Sequence, residues 1–211
     1  IRQRDPETLG SVMRGLVLSG AAISLYGDSR PASGAEHHMS HYWETILEQR
    51  GIRPAMHGEQ VAVGTVLVLM LIEELLKENI DFDAARESAR AYNSAAWELE
   101  IRAHYGAAAD EVIALEQKAG KNNIEGRLAR IDSMQRSWDA VRLQLETLPE
   151  SSSVRALLRD IGCPCTPADI GVDDELLMDT FRYCKEIRAR YTVFQTVYDL
   201  GLTDKLAARV I

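Results

Sequence analysis

The chain reads as an all-α protein, a single multi-helix domain over residues 1–211. Three observations predict this. Apolar residues recur three and four apart along most of the chain, as one face of a helix requires. Asp, Asn or Ser stands ahead of these runs, and Gly or Pro follows them, in the manner of helix caps and stops. Apolar/polar alternation bounded by turns, the mark of a half-buried strand, is absent.

The first helix is expected from Glu7 to Tyr26, with Leu9, Met13, Leu16, Val17, Ala21, Ile23 and Leu25 as its apolar positions and Gly27-Asp28 as its end. Pro31 stops whatever precedes it. Ser33 and Glu36 form an S-x-x-E capping box, which predicts a second helix from Gly34 to Gln49. Gly51-Ile52-Arg53-Pro54 connects it to a third, from Gly58 to about Lys77. The run Val61 to Ile72 within that helix is about 12 residues, short of the ~20 that span a bilayer. It predicts a helix buried nearly all round. No signal-peptide pattern is read at the start of the chain.

Asp81 or Asp83 caps a helix through Tyr92, and Asn93-Ser94 restarts one whose face carries Trp97, Ile101 and Tyr105. Gly106 breaks it, and Ala107 to Lys118 continues before Gly120. Asn123 caps a long helix to Leu148, with Leu128, Ile131, Trp138, Val141 and Leu145 on an expected buried stripe. Pro149 stops it. A short helix from Ser152 or Ser153 to Ile161 is closed by Gly162. Cys163 to Val172 reads as a loop, and Asp173 caps a helix through about Arg188. Tyr191 to Leu200 and Thr203 to Ala208 are the last two helices.

Composition narrows the function. Apolar residues are 46% and charged residues 27%, an ordinary soluble globular profile. The net charge of −8, with no basic cluster interleaved with aromatics, argues against a nucleic-acid partner. Membrane insertion is likewise not expected. Three cysteines fit a reducing cytoplasm. Cys163-Pro164-Cys165 has no second Cys/His pair beside it and reads as free loop thiols, whereas Cys184 sits in a helical pattern and reads as core. No glycine-rich turn follows a strand, so neither a dinucleotide nor a P-loop fingerprint is present.

Four of the five histidines fall between His37 and His57. His37 and His41 are one helical turn apart on one face, and His57 opens the next helix. His38 lies about 100° further round and is expected to be exposed. Two imidazoles a turn apart plus one from a neighbouring helix make a workable zinc or iron cluster; the alternative is a solvated polar face. Helix formation does not explain their density, and the helix dipole keeps His57 neutral and available as a ligand. His104 reads as a helix-end cation. Trp43, Trp97 and Trp138 read as core. Among Glu44, Glu73 and Glu74, each able to join a cation, spacing favours none.

These residues carry a resemblance. Ser29-Arg30-Pro31-Ala32-Ser33-Gly34-Ala35-Glu36-His37, then Ser40-His41, then His57-Gly58-Glu59 with Val61-Ala62 and Gly64-Thr65, resembles the metal-binding region of sn-glycerol-1-phosphate dehydrogenases. That family sits in the iron-containing alcohol dehydrogenase and dehydroquinate synthase superfamily. The stretches Leu158 to Val172 and Glu186 to Gly201 resemble it more weakly and are assigned no chemistry.

The resemblance implies the C-terminal helical domain of a two-domain enzyme whose α/β NAD(P)-binding domain is missing here. It implies His37 and His57 as two metal ligands, with a third, an Asp, upstream. The metal it implies is divalent: zinc foremost, with nickel or iron as options. It further implies reduction of dihydroxyacetone phosphate to sn-glycerol 1-phosphate, a step of phospholipid biosynthesis. His41 then contacts substrate or relays a proton, against the plainer role of a structural histidine. Ser29 and Arg30 are the phosphate candidates, against an ordinary ion pair for Arg30. A related glycerol dehydrogenase or dehydroquinate synthase-like enzyme, or a stand-alone helical metal-binding domain, is the alternative. Homo-oligomerisation is left open.

Overall fold

The computed structural model describes residues 5–211. Among these the regular structure is helical, with no strand. The helices are α1 (Pro6–Tyr26), α2 (Ala35–Gln49), α3 (His57–Leu76), α4 (Phe82–Arg90), α5 (Ser94–Tyr105), α6 (Ala109–Ala119), α7 (Ile124–Leu145), α8 (Ser151–Asp160), α9 (Asp174–Tyr183), α10 (Val193–Asp199) and α11 (Thr203–Val210). Short 3₁₀ turns occupy Arg30–Ala32, Gly106–Ala108, Pro167–Ile170 and Cys184–Ile187.

The core is organised by α2 and α3. Met39, Tyr42, Trp43, Ile46 and Leu47 recur three and four apart on α2 and are buried. They meet Val63, Leu67, Leu71 and Leu75 of α3 in one apolar cluster. Two polar ends inside this cluster find partners. Trp43 Nε1 donates to Thr180 Oγ1 (2.8 Å), and Tyr105 Oη donates to the Tyr183 carbonyl (2.8 Å). Tyr42 and Tyr105 pack edge to face at 5.3 Å.

Gly64 explains how closely the two helices cross. A Cβ there would lie 3.0 Å from the Glu36 carbonyl oxygen and 3.3 Å from its Cα. The absent side chain lets the first turn of α2, which carries His37, settle onto α3.

The caps at Asp81, Asn123 and Asp173 form as the sequence predicts; each side chain accepts from backbone N–H groups of the following turn. The Ser33–Glu36 box does not. Gly34 is the N-cap of α2 without a side-chain cap, and Glu36 turns back to accept from Gly34 N (2.9 Å) and His37 Nδ1 (2.6 Å). The helix starts one residue later than the box requires, so Glu36 bonds the Gly34 amide and Ser33 is left outside the cap. The expected loop 163–172 holds a capped 3₁₀ turn between Thr166 and Asp169. The helix expected through Arg188 ends at Tyr183 and tightens into the 3₁₀ turn Cys184–Ile187. Cys184 is buried and all three thiols are free.

Two helices depart from the burial their pattern suggests. On α7, Ile131 is buried and Trp138 packs against the edge of the core, but Val141 is exposed. α1 contains no buried residue; Leu16, Val17 and Leu18 are each more than 60% exposed. By length and composition α1, not α3, could cross a membrane, although Arg14 lies at its middle.

Candidate metal centre

α2 and α3 bring three imidazoles together. His37 and His41 project from successive turns of α2, and His57 is the first residue of α3. The ring centroids lie 5.2 Å (His37–His57), 5.5 Å (His41–His57) and 6.4 Å (His37–His41) apart. One ligand atom each from His41, Glu44 and His57 falls within 4.8 Å of the others. Glu44 is thus the acid that joins the cluster; Glu73 instead accepts from Ser151 and Glu74 pairs with Lys77.

The hydrogen bonds of the three rings are made at Nδ1. His37 Nδ1 meets Glu36 Oε1 at 2.6 Å. His41 Nδ1 meets Glu44 Oε2 at 3.0 Å, and His57 Nδ1 meets Glu44 Oε1, also at 3.0 Å. Ser40 Oγ lies 3.0 Å from His57 Nδ1 and donates to Gln60 Oε1. Ionised carboxylates only accept, so each Nδ1 carries the proton. Burial opposes the charge on Glu44, yet hydrogen bonds from His57 and His41 hold its carboxyl below the usual range. Glu36 behaves alike: burial raises it, and the bonds from His37 and the Gly34 amide bring it down further.

A divalent transition metal suits this donor set. Neutral imidazole nitrogens supported by carboxylates on their far side are the usual pattern around zinc. The cluster is half open to solvent, with His57 47% exposed and His37 20%.

His38 is wholly buried, which corrects the expectation that it is exposed. The same rotation that takes it off the His37/His41 face turns it into the protein. Both its ring nitrogens lack a hydrogen-bond partner. Burial, with Lys121, Arg190 and Arg188 nearby, pushes its pKa down to about 4. An unsatisfied buried polar side chain costs roughly 1–3 kcal/mol. His38→Leu, similar in size and apolar, is therefore expected to raise the thermal midpoint by a few degrees. A lower midpoint in calorimetry would show that an ordered water or a hidden partner satisfies the ring.

His104 lies in the last turn of α5, with Nδ1 3.2 Å from Asp179 and its ring stacked on Tyr183 at 4.0 Å. The phosphate candidates lie just ahead of α2. Arg30 is exposed and pairs with Asp28 at 3.1 Å. Ser29 Oγ accepts from Arg190 (2.9 Å), which also donates to the Ser33 carbonyl (3.0 Å). Arg190 belongs to the stretch Glu186 to Gly201, to which sequence reasoning gave no chemistry. A cleft of about 630 Å³ lies elsewhere, walled by Tyr92, Trp97, Tyr183 and Tyr198. Its charged lining is largely matched internally, as in the Arg182–Asp204 pair.

Fold and site together define a helical domain built around a carboxylate-supported histidine cluster with the donors of a transition-metal centre. The relatives of the chain are glycerol-1-phosphate dehydrogenases. It is 26% identical over 178 residues to the NAD(P)+ enzyme of that name from Halalkalibacterium halodurans, covering 84% of this chain and 35% of the relative. It is 27% identical to that of Geobacillus stearothermophilus over 90% of this chain and 38% of the relative. A shorter stretch of 71 residues is 46% identical to the Pyrococcus furiosus protein. The chain thus spans little more than a third of the length of the relatives it matches along most of its length. No family model and no solved structure matches it.

Proposed function

We propose that residues 1–211 are the helical metal- and substrate-binding part of a two-domain, NAD(P)-dependent glycerol-1-phosphate dehydrogenase. The observation that carries this reading is the convergence of His37, His41 and His57 from the stretch that resembles that family. His37 and His57 hold the ion, zinc first among the candidates. A bound divalent ion supplies Lewis-acid polarisation of a ketone or alcohol oxygen. His41, on the same face of α2, contacts the substrate or passes a proton to or from its oxygen. Ser29 and Arg30 receive the phosphate at the start of α2, where the helix dipole favours an anion. Arg190, hydrogen-bonded to Ser29, brings a second guanidinium to that place. The substrate is dihydroxyacetone phosphate in one direction and sn-glycerol 1-phosphate in the other. The hydride comes from a nicotinamide held by a separate α/β domain, and the setting is cytoplasmic.

The test is an assay of dihydroxyacetone phosphate reduction with NADH and NADPH. The two-domain protein is expected to be active. The 211-residue chain is expected to be inactive and to bind neither dinucleotide. Turnover or a clear binding isotherm with this chain alone would overturn the division of labour. No turnover by the two-domain protein loaded with zinc, nickel or ferrous iron would overturn the activity.

A further inference from the structure

We propose that Glu44 is a positioning residue that fixes His41 and His57 with Nδ1 protonated, so that His57 presents Nε2 to a divalent metal and His41 presents Nε2 to the substrate beside it. This rests on reading the cluster as a metal centre. One carboxylate serves both helices: Oε2 accepts from His41 within α2, and Oε1 accepts from His57 across to α3, each at 3.0 Å. Both oxygens of Glu44 are committed to imidazoles on the side away from Nε2. Its spacing from His41, three residues on α2, puts the two on one face. Its reach to His57 ties the start of α3 to the middle of α2. Each imidazole thereby has its tautomer and ring direction set by the same anion. A carboxylate behind a ligating imidazole also raises the basicity of the nitrogen that faces the ion. Glu36 gives His37 the same support separately, at 2.6 Å.

Glu44→Gln keeps the shape and removes the symmetry. The amide has one accepting oxygen and one donating nitrogen, so it can hold only one of the two rings as Nδ1–H. The other must switch tautomer or turn.

The experiment uses the 15N-labelled two-domain protein, which carries the upstream Asp, and zinc as the probe, with long-range proton–nitrogen spectra of the imidazoles and zinc titrations. In the zinc-free wild type, His41 and His57 are expected as Nδ1–H tautomers. With zinc, His57 should be metallated at Nε2 and keep its Nδ1 proton. Glu44→Gln is expected to convert one ring to the other tautomer and to weaken zinc binding about 10–100-fold. Glu44→Asp, which keeps the charge with a shorter reach, should recover part of the loss. Metallation of His41 and His57 at Nδ1, with Glu44 itself coordinating, would overturn the proposal. So would wild-type tautomers and affinity in Glu44→Gln, and that result would leave the metal-centre reading standing. No zinc binding by the folded wild type would refute the metal-centre reading, and this proposal with it.

Discussion

His57→Ala is expected to leave the protein without a retained metal ion, and His37→Ala the same. The two rings come from different helices, and their centroids are 5.2 Å apart. Removing either takes away one of the two imidazole donors assigned to the ion, one from each helix. The loss should exceed the ~10–100-fold that follows removal of a supporting residue. The fold should tolerate the change, because His57 is half exposed at the first position of α3 and its side chain does not enter the apolar cluster. His104→Ala is the control: it is held by Asp179 and Tyr183, away from the cluster. Metal content by mass spectrometry after gel filtration reads the outcome. Equal metal in His57→Ala and wild type would move the ion to another site.

The second large effect concerns stability. Glu186 is 1% exposed and lies between two buried lysines. Lys121 Nζ is 2.8 Å from it, and Lys185 Nζ is in direct contact. Trp97 Nε1 (3.1 Å) and Asn122 Nδ2 (2.9 Å) also donate to it. Glu186→Ala leaves the buried Lys185 and Lys121 ammonium groups without the carboxylate between them, with Glu116 still 3.9 Å from Lys121. Breaking a buried pair in this way costs about 3–5 kcal/mol. For a chain of this size that lowers the thermal midpoint by roughly 6–20 °C.

The pH dependence has a definite sign. Burial alone would raise the Glu186 carboxyl, but Lys185 and Lys121 bring it down to about 2 from an ordinary 4.5. Its contribution is whole above about pH 4.5 and is lost as the pH falls toward 2, where the folded state must also take up the proton. The wild type should therefore lose stability over that range more steeply than Glu186→Ala. Parallel denaturation midpoints across the acid range would remove Glu186 from the account.

Period and caps carried much of the fold. The α2 stripe from Met39 to Leu47 and the caps at Asp81, Asn123 and Asp173 follow from residue type and spacing alone. What spacing does not encode is what lies opposite a face. The stripe on α7 has the right period and ends in solvent at Val141. The apolar face of α1 is equally regular and equally uncovered. His38 is one residue from His37 and lies on the other side of α2, in the interior, where no polar pattern announces it. The Ser33–Glu36 box is shifted by one residue: Gly34, not Ser33, is the N-cap, and Glu36 bonds its amide as well as His37.

The site was legible as a histidine density and a resemblance, but its supports were not. Glu44 could be named from the sequence only as one of several acids; the crossing of α2 and α3 selects it. Arg190 lies more than 150 positions after Ser29, and only the fold brings the two together.

The most direct test of the metal centre is diffraction from zinc-soaked crystals of the two-domain protein, recorded on both sides of the zinc absorption edge. The account predicts one anomalous peak between α2 and α3, about 2.0–2.1 Å from a nitrogen of His37 and of His57. A chain that diffracts well and shows no peak there, or carries its zinc at His104 or the Cys163–Cys165 loop, would contradict it.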